Sequence, residues 1–348
     1  MDRKELAKQI QGGHLSGVYL LDGPEEHLKQ EAVAGMIRVV SDGPMGDLNV
    51  ATLDNPETDE LIAACETLPF LSEKRLIMVK DPPYLSGRAE ADDRLKDYLI
   101  HVPPFCVLVF ICHGKVDARK SLVRQIGKTG QVITFSPMGD ADLNAWIRDA
   151  FQSAGKVCSV AVASQLAFVA GSDTALLLGE IGKLISYSGD AEEITMEDIA
   201  AVTSRSSEYA AFEIINAVMD NEESRAFSLM RDMLLGGETR IGILAMLERQ
   251  YRMLQHVSIM KRENRTQDEM ARLLDVKPFV VGRYLQQLRR LSARTVRESV
   301  KLCIDTEYRI KSGQLNQEGA LEALMIRLYG LLRIYMKAEL SLGRRLFL

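Results

Sequence analysis

The chain has 348 residues, 47% apolar and 26% charged, the balance of an ordinary soluble globular protein with room for two or three separate cores. Five scattered cysteines without a C-x-x-C pair exclude a disulfide framework or zinc site and fit reduced thiols, and His113 beside Cys112 has no second pair to complete a metal site. The net charge of −5 conceals an asymmetry: residues 1–210 hold 20 Lys and Arg against 31 Asp and Glu, residues 211–348 hold 23 against 17, and any nucleic-acid contact is expected mostly in that last third.

The N-terminus lacks the apolar stretch of a signal peptide, and no run approaches the ~18 apolar residues of a membrane span, so a cytoplasmic protein with no membrane partner is expected. The first 135 residues alternate short apolar runs with helical patterns. Strands are predicted at Val18–Leu21, Asn49–Leu53, Leu76–Val79, Val107–Ile111 and Val132–Phe135. Helices are predicted near Glu25–Val40, Thr58–Glu66, Asp93–Ile100 and Lys120–Lys128. Unbroken apolar strands separated by helices predict a mostly parallel sheet covered on both faces.

Residues 18–30 have the outline of a nucleotide loop without its chemistry. The first strand runs into a turn at Gly23 and then into a helix, as in G-x-x-x-x-G-K-[S/T]. Leu28 stands where the second glycine would admit phosphates, Gln30 replaces the Mg²⁺-binding hydroxyl, and only Lys29 survives. Glu25 and Glu26 add negative charge where a helix N-terminus would otherwise hold an anion. By themselves these residues also fit a plain strand–turn–helix with glutamates in a favourable first turn. The strand Leu76–Val79 continues into Lys80-Asp81-Pro82, without the acidic pair that hydrolysis requires. No catalytic residue, metal or cofactor is expected.

Thr67-Leu68-Pro69-Phe70-Leu71 is expected as a loop between a helix and that strand. An aromatic and a leucine behind a proline suit either an anchor inserted in a partner's apolar pocket or a side chain packed beneath the sheet. Lys115, Arg119 and Lys120 are expected to begin a helix near the carboxyl edge of the sheet. They form either a solvated charged face or a contact to a DNA backbone or neighbouring subunit.

Ser136-Pro137-Met138-Gly139 closes this block, and everything after it reads as helix. Ala141–Ala154, Ser159–Ala170, Asp173–Ser188 and Met196–Ser204 make a compact group, with a capping box at Thr195 and Asp198. From about Glu208 longer amphipathic helices follow, including Ile241–Lys261 and Gly319–Glu339, broken at Gly236-Gly237, Asn264, Lys277-Pro278 and Ser312-Gly313. Residues 266–290 have the outline of a helix-turn-helix. Its second helix carries a broad apolar face (Val280, Val281, Tyr284, Leu285, Leu288, Leu291), with Arg283, Arg289 and Arg290 on the rim, and so reads better as a packed helix.

Four stretches together resemble one family, the delta subunits of the bacterial DNA polymerase III clamp loader: Tyr19 to Glu26 (Y-L-L-x-G-x-E-E), Thr67 to Val79 (T-L-P-F-F-x-x-x-R-L-V), Lys115 to Lys120 (K-x-D-x-R-K), and Leu273 to Val281 with Ile310 to Gly313. The resemblance spans about residues 15–335. It implies a degenerate AAA+ parallel α/β domain over 1–138, a small helical lid over 139–208 and a helical collar for oligomerisation over 209–348. It implies that Leu68, Pro69, Phe70 and Leu71 bind and open the beta sliding clamp, although Leu71 replaces the family's usual second aromatic. It implies gamma/tau and delta prime subunits as partners in a heteropentamer, with primed DNA met through the assembled complex. The chain would be a non-catalytic subunit of a DNA-directed DNA polymerase holoenzyme. The competing readings are a helix-turn-helix regulator, which predicts an operator and a homodimer, and a divergent ATPase, which predicts nucleotide binding dependent on Lys29.

Overall fold

The computed structural model describes residues 2–345 other than 44, 88–91 and 277, with the backbone alone for 86 and 334–345, so Lys277 of the last family stretch lies outside the described residues. The chain divides into two compact units, Met1–Gly139 and Asp140–Leu348.

The first unit runs α1 (Arg3–Gln11), β1 (Gly17–Asp22), α2 (Glu26–Val40), a 3-10 turn (Gly46–Asn49), β2 (Val50–Asp54), α3 (Thr58–Glu66), β3 (Arg75–Lys80), α4 (Pro83–Ser86), α5 (Asp93–Tyr98), β4 (Cys106–Ile111), α6 (Ser121–Thr129) and β5 (Gln131–Thr134). The strands form one parallel sheet in the order β2-β3-β4-β1-β5, with Leu20 of β1 opposite Phe110 of β4 and Val132 of β5. Alternate residues Val18, Leu20, Ile77, Val79, Leu108 and Phe110 pack on one face with Leu61 and Cys65 of α3, Leu95 of α5 and Leu122 and Ile126 of α6. On the other face the Tyr19 hydroxyl donates to Gln9 Oε1 of α1 at 3.1 Å, and α1 packs on α2. Burial from both sides is why these strands read as unbroken apolar runs.

Three local differences from expectation have identifiable causes. Helix α1 goes unread because only Leu6 of its residues is buried, too little apolar signal for a stripe, although Asp2 caps it through the Glu5 N–H. Asn49 belongs to the 3-10 turn and not to β2. Lys115, Arg119 and Lys120 do not begin a helix, which starts at Ser121. There Asp117 accepts from the Arg119 N–H through its side chain (2.9 Å) and from the Lys120 N–H through its carbonyl (3.0 Å), a turn that competes with helix.

The second unit opens with α7 (Asp140–Ser153), β6 (Val157–Cys158), α8 (Val160–Ala170), α9 (Thr174–Ser188), β7 (Glu193–Ile194) and α10 (Met196–Val202). The expected capping box of Thr195 and Asp198 is present. The all-helical expectation misses the parallel pair β6–β7, two residues each and too short for any period, steadied by Lys156 Nζ donating to Gly189 O and Ala191 O at 2.6 Å each. It continues with α11 (Ser207–Met219), α12 (Glu223–Leu235), α13 (Arg240–Arg262), α14 (Gln267–Leu274), α15 (Pro278–Gln287), α16 (Ala293–Lys311) and α17 (Ala320–Arg345). Helix α13 packs against α11, α15 and α16, and α17 against α11 and α16, around one core that includes Ile214, Leu247, Tyr251 and Leu328. Among the described residues no single helix is long and apolar enough to cross a membrane, and the apolar pair α8 and α9 is bent by 119°.

Candidate functional site

Strand β1 ends at the sheet position where a nucleotide loop belongs, and internal groups already occupy the binding atoms. Gly23 takes φ +107°, and a Cβ there would lie 2.3 Å from the Phe135 carbonyl oxygen, so only glycine fits. That carbonyl also accepts from the Glu25 N–H (3.1 Å), one of the donors at the start of α2 that a phosphate would need. Lys29 is 1% exposed and its Nζ donates to Cys112 O at 2.6 Å and to Glu26 Oε1 at 2.7 Å. Leu28 is buried and Gln30 is exposed, away from these bonds.

Glu26 supplies the anion that the loop's geometry invites. Its other oxygen lies 2.9 Å from His113 Nδ1, while His113 Nε2 lies 3.1 Å from Asp81 Oδ2 and the His113 N–H donates to Asp81 Oδ1 at 2.6 Å. Partial burial pushes the Glu26 carboxyl up, but hydrogen bonding and charge from Lys29, and then from His113, outweigh it and hold it below the usual range. Asp81, at the end of β3, is therefore spent on His113. From sequence alone His113 stands beside Cys112 with no second pair to complete a metal site. Its contacts come from residues far apart in the chain, so no local spacing could disclose them.

The loop between α3 and β3 presents apolar side chains to solvent. Leu68 is 72% exposed, Phe70 47% and Leu71 79%, while Pro69 is half-buried. Phe70 therefore does not pack away beneath the sheet. The loop's root is fixed by the Thr67 hydroxyl donating to Ala63 O (2.8 Å) and by Lys74 Nζ donating to Pro104 O (2.8 Å). Its tip is fixed by Asn49, which sequence reasoning missed. The Phe70 N–H donates to Asn49 Oδ1 at 2.6 Å, and Asn49 Nδ2 donates to Phe70 O at 2.9 Å. Only its place as the first residue of a predicted strand marked Asn49, and that gives no sign of a bond across 21 residues.

Three of the candidate cations lie in the first unit and three in the second. Arg119 is held bidentately by Asp117, and these hydrogen bonds keep the Asp117 carboxyl down at about 2. Lys120 Nζ donates to the carbonyls of Tyr84 (3.1 Å) and Gly87 (2.6 Å), while Lys115 is exposed. In the second unit, Arg283 lies with its guanidinium carbon 4.2 Å from the centroid of the Phe168 ring and donates to Gln165 Oε1, and desolvation lowers its pKa. Arg290 pairs with Asp220 at 2.6 Å, and Arg289 is exposed. Helix α15 buries Val281 and Tyr284, and the Tyr284 hydroxyl donates to Gln250 Oε1 at 2.5 Å. The broad apolar face of this helix is packed into the core of the second unit. Among the described residues no cluster of His, Cys, Asp and Glu has the arrangement of a metal site.

Two family models match the chain: one described as DNA polymerase III, delta subunit, over residues 19–136, and one as DNA polymerase III delta subunit, C-terminal domain, over residues 208–328. A DNA polymerase III subunit delta from Bacillus subtilis (strain 168) is 27% identical over 330 residues, spanning 92% of this chain and 95% of that protein. A solved structure of the Bacillus subtilis DNA clamp loader delta protein superposes with a TM-score of 0.58 at 26% identity, covering 94% of this chain and 99% of that one.

Proposed function

The chain belongs to the DNA polymerase III delta-subunit family and is a clamp-loader component, and from that premise we propose that the 68–71 loop is the part that grips and opens the beta sliding clamp. The observation that carries the proposal is the loop itself: three large apolar side chains held in solvent on a backbone tied at both root and tip. Such side chains gain by leaving water only when a partner covers them, and a rigid backbone reduces the entropy lost on docking. Phe70 would fill an apolar pocket of the clamp, with Leu68, Pro69 and Leu71 around it as a wedge against the ring's subunit interface.

The work is mechanical. With Lys29 neutralised by Glu26 and no acid free at the end of β3, the chain would neither bind nor hydrolyse ATP itself. Nucleotide control would come from gamma/tau subunits, joined with delta prime in a heteropentamer that meets primed DNA as a whole. Residues 1–138 would carry the clamp contact, 139–208 a lid and 209–348 the oligomerising collar. Lys115, Arg119, Lys120, Arg283, Arg289 and Arg290 are the candidate contacts to DNA or to neighbouring subunits. The family does not support the regulator and ATPase readings.

Ring opening by this chain alone gives a direct test. Clamp loaded on nicked circular DNA is mixed with the purified chain without nucleotide, and release is followed by gel filtration. The wild type is expected to speed release, and Phe70→Ala to slow it by about tenfold or more, as for loss of a central aromatic anchor. Release that requires ATP, or that is equal in both proteins, contradicts the proposal.

A further inference from the structure

Asn49 makes contacts that its own turn does not need. It is fully buried, and its carboxamide forms two hydrogen bonds with a single residue, Phe70, taking the N–H through Oδ1 and giving Nδ2–H to the carbonyl. That is the double exchange two strands make at one residue pair, here supplied by a side chain to a loop. The loop has few other means of holding Phe70. Pro69 lacks an N–H, and Leu71 takes φ +47°, a left-handed conformation that L-residues avoid unless something imposes it. Asn49 is itself held, because Arg75 Nη1 donates to the preceding Leu48 carbonyl at 3.2 Å.

We propose that Asn49 is the positioning residue of the clamp-gripping loop: it fixes the Phe70 peptide so that the ring is presented in its docking orientation before the clamp arrives. This rests on the reading of the loop given above. Asn49 touches no partner itself and acts through Phe70. Without its carboxamide the loop would sample other backbone states, and the clamp would have to select the docking one, which lowers affinity in proportion to that state's population.

The test is a double-mutant cycle on clamp binding, together with amide hydrogen exchange at Phe70. Asn49→Ala in the full chain is expected to weaken binding to the purified sliding clamp by about tenfold and to speed exchange of the Phe70 amide. In a Phe70→Ala background the same change is expected to cost less than about twofold, because the ring it positions is gone. Asn49→Asp keeps the acceptor for the Phe70 N–H and loses the donor. It is expected to restore amide protection and to bind with intermediate affinity, and it carries the same cycle should Asn49→Ala fail to fold. Wild-type affinity in Asn49→Ala, or an equal loss in both backgrounds, overturns the assignment. If Phe70→Ala alone binds like the wild type, the reading of the loop falls first and takes Asn49 with it.

Discussion

Replacing Lys29 with methionine would leave the buried Cys112 carbonyl and one oxygen of Glu26 without their shared donor. A buried acceptor that loses its partner keeps the cost of having left water, and a half-exposed carboxylate loses less because solvent screens it. Lys29→Met is therefore expected to destabilise the chain by about 2 kcal/mol, read as a lower urea midpoint at unchanged slope. The same variant is expected to leave any ATP titration as flat as in the wild type. A divergent ATPase would instead lose a saturable signal. The proposed loss of nucleotide binding rests on single positions in the sequence: Leu28 and Gln30 are wrong for a phosphate cradle whatever surrounds them. What fills the site was not legible, because Glu26, His113, Asp81 and Phe135 come together only through the β3–β4–β1–β5 pairing.

At the scale of elements, α14 and α15 separate fold from resemblance. Their lengths, turn and basic rim match a DNA-reading pair, yet Val281 and Tyr284 are buried and Tyr284 is bonded to Gln250 of α13. Tyr284→Phe removes that bond and leaves the buried Gln250 oxygen unpaired. It is expected to cost about 1–2 kcal/mol by chemical denaturation, without changing DNA affinity. Loss of sequence-selective DNA binding in Tyr284→Phe, in a chain that stays folded, would restore the regulator reading. Elements with a long apolar period, such as β4 and α13, were readable from sequence within a residue or two of their observed ends. Those governed by side-chain-to-backbone bonds were not. Asp117 turned an expected helix start into a loop, and the β6–β7 pair was too short to leave a pattern.

At the scale of the whole molecule, the two units carry different chemistry. The acidic first unit follows β1 with a loop whose lysine is paired to its own glutamate, and holds an apolar tip in solvent. Among the described residues the second is helical apart from the β6–β7 pair, carries five arginines between Arg283 and Arg297, and buries the faces of α11 to α17 in one core. On the function proposed above, a subunit that sets its own glutamate where a phosphate would sit would serve its assembly by holding other proteins. Its activity should therefore concentrate where its surface is apolar and rigid. Calorimetric titration of the full chain into the sliding clamp, wild type beside Phe70→Ala, tests this most directly. Nucleotide-independent binding, weakened by about tenfold or more in the variant while the melting temperature stays unchanged, is the expected result. Equal affinity of the two folded proteins for the clamp, or no binding until ATP is added, would contradict it.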